Sequence, residues 1–392
     1  MKYCLEMVSK ETFRSTERLT SIDITRGLVI IIMALDHVRD FFSYTVYRPT
    51  DVTQASVFLF ATRWVTHICA PTFVFLSRIS IYLYCKKIAD RKRTSFFLVT
   101  RGLWLIALEV IVISFILTQG YELTLLEVIW AIGFSMILMA LFIWLPRWLQ
   151  LFISIVMIAG HNALPLLGQV SLDNMILAIL HNSPFFIPHP PILVAYTIIP
   201  WVGVMLLGYA IGVWFSYPPI TRDKFLIRSG IAAITLFVAM RSLNLYGDPF
   251  PWSVQERGSI YTFLSFMNIT KSPPSLLFLS VTLGIACLLL AFANRISLPV
   301  QKITMTYGRV PFFFFVVHLA VISLTAYVWT YLSFGKAINL SFTNAKDWPN
   351  EYHPNLLRAY LIWILLVIIL YFPCRWYGEW KSGSKRWWAS YL

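Results

Sequence analysis

Long apolar stretches alternate with short polar connections along the whole chain. Each stretch approaches the length of a helix that crosses a bilayer, which needs about 20 mostly apolar residues. The pattern therefore predicts an all-α, polytopic integral membrane protein with about ten transmembrane helices. The ten predicted spans are 24–44, 57–85, 102–117, 124–145, 147–165, 192–215, 225–245, 274–294, 308–333 and 356–373.

The first span contains charged residues at positions where lipid-facing helices are apolar. Arg26 stands near its start, and farther along comes the string Asp36-His37-Val38-Arg39-Asp40. Ionisable groups at membrane depth are costly unless they are paired or solvated, so they indicate function or a specific contact. Eleven helical steps of about 100° bring His37 to within about 20° of Arg26, about 16 Å farther along the same face.

The second span carries polar residues of its own. Arg63 and His67 are four positions apart and share one face of a helix. Pro71 cannot donate to the carbonyl group of His67, so we expect the helix to kink there. Spans one and two are antiparallel neighbours along the chain. At matching depth they form one polar cluster, which consists of Asp36, His37, Arg39, Asp40, Arg63 and His67.

Composition supports this class of protein and predicts its orientation. Of the 392 residues, 58% are hydrophobic and 13% are charged, whereas soluble domains carry about 25% charge. Most of the 32 Lys and Arg residues lie in the two tails and in alternate connections. The positive-inside rule then places both tails, 1–23 and 374–392, in the cytoplasm, with a single transmembrane domain, 24–373, between them. We expect this domain to lie in the cell's inner (plasma) membrane.

Several function classes find no support in the sequence. The net charge of +14 is spread over many short connections, which favours helix orientation over nucleic-acid binding. The five cysteines are scattered without CxxC spacing, so we predict neither a disulfide framework nor a zinc or other metal site. A GxxxxGK[ST] nucleotide loop is absent, which argues against ATP-driven transport by this chain.

The polar cluster supports two interpretations. One is an ion-pair network that holds the helices together. The other is catalysis, because imidazole titrates near neutral pH and suits proton transfer, whereas histidine is a poor packing residue in lipid. We favour His37 as a general base or nucleophile, assisted by Asp36 or Asp40.

Other polar residues extend this hypothesis. Arg63, His67 and Arg39 are expected to position an acceptor or to stabilise an oxyanion. His318 in span nine and His161 at the end of span five are second-tier candidates, and either would serve equally well as a structural hydrogen-bonding group.

Two other classes of function remain open at this point. A proton-coupled transporter or flippase would use the same cluster as a proton relay. The chain shows no visible repeats or broken helix pairs, which weighs modestly against transport. A membrane scaffold without chemistry would need the cluster only for packing.

Several longer strings resemble the bacterial DUF1624 membrane proteins. The likeness runs from about residue 18 to about residue 330. Its strings are Leu35-Asp-His-Val-Arg-Asp-Phe-Phe42, Thr62-Arg-Trp-Val-Thr-His-Ile-Cys-Ala-Pro-Thr-Phe-Val-Phe-Leu76, Ala159-Gly-His-Asn162, Tyr246-Gly-Asp-Pro249, Asn268-Ile-Thr-Lys-Ser-Pro-Pro-Ser-Leu-Leu277 and Gly308-Arg-Val-Pro311 with His318. That family is similar to the catalytic region of heparan-α-glucosaminide N-acetyltransferase. It also resembles the wider transmembrane acyltransferases, whose first helix carries an Arg-x10-His motif.

The resemblance implies a function for the cluster. His37 corresponds to the acyl-transfer histidine and Arg26 to the cofactor-facing arginine. The implied co-substrate is acyl-CoA, in particular acetyl-CoA, on the cytoplasmic side, and the implied partners are membrane lipids and a carbohydrate or glycolipid acceptor on the outer side. The chain departs from the family pattern at Ser77-Arg78, where relatives have Ala-Gly. A buried arginine there would tighten anion binding or fill space that a cofactor needs.

Overall fold

Helices make up most of the fold. The computed structural model of the protein describes residues 19–88, 90–167, 179–181 and 184–384, so segments 1–18 and 385–392 of the two predicted tails lie outside the described residues. The α-helices are α1 (Thr20–Phe42), α2 (Val57–Thr66), α3 (Cys69–Ile88), α4 (Arg91–Leu108), α5 (Ser114–Thr118), α6 (Val128–Phe142), α7 (Arg147–Gly160), α8 (Ile199–Ile211), α9 (Pro219–Leu243), α10 (Ser259–Met267), α11 (Leu276–Phe292), α12 (Leu298–Gly308), α13 (Pro311–Phe334) and α14 (Leu356–Gly383).

Helix α1 lies at the centre of the bundle. It packs against α2, α3 and α11 as well as α12, α13 and α14. Most of its side chains are buried, including the charged Asp23, Asp36 and Arg39. Because α1 is enclosed by other helices, its charged groups meet protein rather than lipid, which is the arrangement that makes intramembrane charge tolerable.

Seven helical segments in the described part of the chain are long and apolar enough to cross a membrane. They correspond to seven of the ten predicted spans. The other three predicted spans fall on α1, which carries too much charge, and on α6 and α7, which have 15 and 14 residues. The total of ten spans and the cytoplasmic placement of both termini therefore stay predictions.

The expectation of an all-α fold needs a small correction. Three short strands, β1 (Thr124–Leu126), β2 (Phe185–Ile187) and β3 (Ile192–Val194), form a sheet in the order β1-β3-β2. Strand β3 pairs in parallel with β1 and antiparallel with β2. The predicted spans 124–145 and 192–215 thus begin with strands, because these residues pair with a distant segment that hydropathy alone does not reveal.

The connections between spans also contain structure that apolar patterning missed. Helix α10 lies in the predicted outer connection 246–273, and α12 lies in the predicted inner connection 294–310. Both are short, so neither reaches the length of a spanning segment. The expected break before Pro71 is present, since α2 ends at Thr66, α3 begins at Cys69, and His67 lies between them.

Two glycines allow α1 and α12 to approach at backbone distance. A β-carbon built on Gly27 would lie 1.7 Å from the carbonyl oxygen of Thr304, and one built on Gly308 would lie 1.8 Å from that of Asp23. Small residues permit this kind of close helix packing in membrane proteins. The contact holds the beginning of α1, which carries Arg26, against the end of α12.

We expect Gly27→Ala and Gly308→Ala to destabilise the protein strongly, because the added methyl group would overlap a backbone carbonyl oxygen that cannot move independently. Overpacking of a tight contact typically costs about 1–3 kcal/mol, and this overlap is with backbone. Thermal unfolding in detergent measures the effect. Gly378→Ala is the matched control, since its nearest new contact would be a side-chain carbon of Val310 at 3.6 Å. Equal melting temperatures for all three variants and the parent would contradict the assignment.

Candidate active site

A large cavity of about 1490 Å³ extends along one face of α1. Arg26, Ile30, Met33 and His37 line it at intervals of three or four positions, as expected for one face of an α-helix. The other residues of α1 in the lining are Asp36, Arg39, Asp40 and Phe41, followed by Tyr44 just beyond the helix. The stripe that the spacing of Arg26 and His37 predicts therefore forms one wall of the cavity.

At one end of the cavity, Arg26 contacts two other helices. Its Nη2 atom donates to the hydroxyl of Ser80 on α3 (2.9 Å), and its Nη1 atom donates to the carbonyl of Gly308 on α12 (3.3 Å). Further lining residues near this end are Ser77, Tyr84, Phe97 and Arg101. The rings of Tyr84 and Phe97 lie 4.7 Å apart between centroids. We call this region the Arg26 end.

Ser77 and Arg78, at which the chain departs from the family pattern, lie in different environments near this end. Ser77 lines the cavity, whereas Arg78 is not among its lining residues. Arg78 is fully buried, and its guanidinium nitrogens have no hydrogen-bond partner among the described residues. Its β-carbon faces Gly208 of α8, where a substituent would come within 3.1 Å. The arginine thus fills space between α3 and α8.

The middle of the cavity contains an ion cluster around Asp36. Its carboxylate accepts hydrogen bonds from Arg63 of α2 and from Thr66 (3.0 Å), and it forms an ion pair with Arg39 of its own helix (3.0 Å). Arg39 also pairs with Asp40 (2.6 Å), and its Nη1 atom is buried without a partner among the described residues. The structure thus brings Asp36, Arg39, Asp40 and Arg63 together and joins α1 to α2.

The partner of His37 differs from the expected one. Its Nδ1 atom lies 2.8 Å from Nε2 of His318 on α13, and the two rings stack with centroids 5.0 Å apart. No carboxylate is hydrogen-bonded to the His37 ring in the described structure, so assistance of His37 by Asp36 or Asp40 stays a prediction. Both carboxylates pair with Arg39, and that of Asp36 also pairs with Arg63.

His67 lines the same cavity from the break between α2 and α3. Its ring packs edge-on against Phe278 with centroids 5.4 Å apart, and its Nδ1 atom is buried without a partner among the described residues. A buried polar atom without a partner is costly unless water or a ligand satisfies it. His67 therefore has an unused hydrogen-bonding atom at the level of the ion cluster.

His161 lies elsewhere. It begins the short helix after α7, and its Nδ1 atom is 3.2 Å from Nε2 of His181. His161 is buried but does not line the large cavity. The structure therefore separates His161 from the group around His37.

Lys271 is a cavity residue that the sequence argument missed, because it was counted only as a charge in an outer connection. It lines the cavity together with Glu127 and Tyr196, and its ammonium lies 5.7 Å from the centroid of the Tyr196 ring. Burial and the nearby Arg63 lower the pKa of Lys271 to about 8, although Asp36 and Glu127 partly oppose this shift. Lys271 lies in the string Asn268–Leu277, whose resemblance to the DUF1624 proteins was the one sequence feature that could have indicated it.

A buried brace holds the loop of Lys271 in place. The carboxylate of Asp248 accepts from the backbone and side chain of Thr270 (2.8 and 3.0 Å) and from the hydroxyl of Ser275 (2.7 Å). Arg241 lies 4.0 Å from Asp248 and donates to four backbone carbonyls of the surrounding connections. Because both flanks of Lys271 are fixed, its side chain is held in the cavity.

The fold and the cavity define a mostly helical, multi-pass membrane protein in which an ion cluster and His37, paired with His318, lie beside a large cavity. A family model described as heparan-alpha-glucosaminide N-acetyltransferase, catalytic, matches residues 18–247, more than half of the chain. The chain belongs to this family, which confirms the resemblance and makes it a member of a family of membrane transferases. The match includes Arg26, His37, Arg63 and His67 but ends before Lys271 and His318. No curated protein matches the chain.

We expect Lys271 to react with amine reagents with a midpoint near pH 8, because its pKa is lowered from 10.5. Above that pH it is neutral and nucleophilic, and below it the ammonium is protected. Competitive labelling with acetic anhydride at a series of pH values, read by mass spectrometry, measures the midpoint. The exposed Lys336 is the internal control for the labelling reaction. A midpoint above pH 10 for Lys271 would show that its charge is stabilised rather than suppressed.

Proposed function

We propose that the protein is a membrane-embedded acyltransferase that moves an acyl group, acetyl in particular, from acyl-CoA to a carbohydrate or glycolipid acceptor. The observation that carries the proposal is the cavity, which is lined by Arg26 at one end, His37 in the middle and loops at the other end. Its volume of about 1490 Å³ exceeds the roughly 300–1,000 Å³ of a pocket for one small ligand. It therefore suits two substrates that meet at His37.

The donor side is assigned to the Arg26 end. Arg26 and Arg101 bring two guanidinium groups to the lining, and guanidinium groups match phosphate oxygens in charge and geometry. The paired rings of Tyr84 and Phe97 offer a stacking surface for a nucleotide base. Along α1, Arg26 and His37 are separated by about 16 Å, which is comparable with the length of a pantetheine arm.

The acceptor side is assigned to the opposite end. The loop after α1 contributes Tyr44, Tyr47 and Arg48 to the lining, and more distant loops contribute Phe250 and Ser341. This mixture of aromatic rings and hydrogen-bonding groups suits a ligand with both apolar faces and hydroxyls, such as a sugar. The distribution of positive charge supports a cytoplasmic location of the Arg26 end, from which the donor would enter.

In the proposed reaction, His37 takes the proton of the acceptor hydroxyl or amine as that group attacks the thioester carbonyl. The negative charge that develops on the carbonyl oxygen is stabilised by cations near His37, of which Arg63 and Lys271 line the cavity. His67 has an unsatisfied ring nitrogen that positions the acceptor. Asp36, Arg39 and Asp40 hold these groups at one level.

A direct test is incubation of the purified protein with radiolabelled acetyl-CoA and membrane lipids. The proposal predicts release of CoA and transfer of label to a sugar or lipid-linked sugar. The transporter alternative predicts proton or solute flux in reconstituted vesicles without acyl-CoA. Flux of that kind together with no release of CoA would overturn the proposal.

We expect His37→Ala to reduce acyl transfer by about 10²–10⁴-fold, the usual contribution of a general base. Expression and melting temperature should stay near those of the parent, because His37 carries no part of the ion cluster. The exposed His353 provides the matched control, His353→Ala, which should keep full activity. Full activity of His37→Ala in membranes would contradict the assignment of His37 as the general base.

We expect Arg26→Met to weaken CoA binding about tenfold to a hundredfold, because a hydrogen bond to a charged group contributes about 1.5–3 kcal/mol. Isothermal titration of CoA into the detergent-solubilised protein measures the affinity without requiring turnover. Lys92→Met is the control, since Lys92 is an exposed cation at the start of α4 and does not line the cavity. An unchanged affinity for CoA in Arg26→Met would contradict the assignment of the donor site to the Arg26 end.

A further inference from the structure

His318 is fully buried on α13 and has a defined partner for each ring nitrogen. Its Nδ1 atom lies 2.8 Å from the backbone carbonyl oxygen of Phe314, and its Nε2 atom lies 2.8 Å from Nδ1 of His37. The ring is stacked on one side by Phe314, with centroids 4.8 Å apart, and contacts Phe315 edge-on. These contacts fix the orientation of His318 in the interior of the protein.

The hydrogen-bond partners determine where the protons lie. A carbonyl oxygen can only accept, so Nδ1 of His318 carries a proton. In the neutral ring Nε2 then has a lone pair, and Nδ1 of His37 must donate to it. The remaining nitrogen of His37, Nε2, is left with its own lone pair. His37 lines the cavity, whereas His318 does not.

We propose that His318 is the positioning residue that holds His37 in the Nδ1–H tautomer and thereby makes Nε2 of His37 the base of the transfer reaction. The proposal rests on the proposed function and deepens it, since it assigns the orienting role to an imidazole that lies outside the segment matched by the family model. A third group that orients the base is a general requirement of this chemistry.

In the proposed step, His37 carries one proton from the acceptor to the leaving thiolate. Nε2 of His37 takes the proton of the acceptor O–H or N–H, and the acceptor atom forms a bond to the thioester carbonyl carbon. The C–S bond then breaks, and the leaving thiolate takes the proton from Nε2, which releases CoA as the free thiol. His37 returns to its neutral form, and Nδ1 stays hydrogen-bonded to His318 throughout. No other reactant is required.

A neutral orienting group differs from the carboxylate that the sequence suggested. A carboxylate would stabilise the imidazolium strongly, whereas an imidazole acceptor does so less and leaves His37 neutral between turnovers. The carboxylates of Asp36 and Asp40 lie in the same cavity as the cations of Arg39, Arg63 and Lys271 and offset two of those three positive charges. His318 therefore orients the ring of His37 and adds no charge to the site.

The tautomer can be measured in the parent protein without any variant. Nitrogen-15 spectra of histidine-labelled protein distinguish a protonated from an unprotonated ring nitrogen, and His37→Gln assigns the signal. We expect His37 to show protonated Nδ1 and unprotonated Nε2. A parent protein with protonated Nε2 on His37 would overturn the proposal whether or not the enzyme is active.

Two variants test the role in turnover. His318→Phe fills the same space and removes the acceptor, and we expect kcat to fall about 100-fold or more with little change in the KM for acetyl-CoA. His318→Gln can place an amide oxygen near the former Nε2 position and should recover part of this loss. His353→Phe is the control and should be unchanged.

The outcomes separate the two proposals. If the parent protein turns over and His318→Phe has the same kcat, His318 is only a packing residue and the inference fails. If the parent releases no CoA under any condition, the proposed function fails, and the spectra alone decide the tautomer. Loss of folding in His318→Phe leaves His318→Gln and the spectra of the parent to decide the question.

Discussion

The structure depends on the need to neutralise Asp36 inside an apolar bundle. A carboxylate at this depth is stable only with paired cations and hydrogen-bond donors. Arg63, Arg39 and Thr66 supply them, and two of these three groups lie on α2 rather than on α1. The requirement for neutralisation thus sets how α1 and α2 are placed against each other, and with them the level of His37 and His67.

Within the polar cluster, the ion pairs and His37 have different roles. The arginines and carboxylates are largely committed to one another, as an ion-pair network would be, while His37 is bound to His318 and faces the cavity. The structural and catalytic interpretations of the cluster are therefore compatible. Ion pairs between helices hold the geometry that a base needs in order to act at a fixed position.

The two ends of α1 are held by different kinds of contact. Near Arg26, the backbones of α1 and α12 touch at Gly27 and Gly308, where close packing needs no charge. Near Asp36, the ion cluster holds α1 against α2. Between these contacts one face of α1 borders the cavity over about three turns, so a long substrate would pass along a rigid wall.

Features that depend on local periodicity could be predicted from the amino-acid sequence alone. Hydropathy predicted the seven long spanning helices, the helical repeat placed Arg26 and His37 on one stripe, and Pro71 predicted the break beside His67. The partners of these residues depend on the three-dimensional packing. His318 lies 281 positions from His37, and Lys271 reaches the cavity because the distant Asp248 braces its loop. Such contacts depend on how helices and loops pack in space, and local pattern carries no information about that packing.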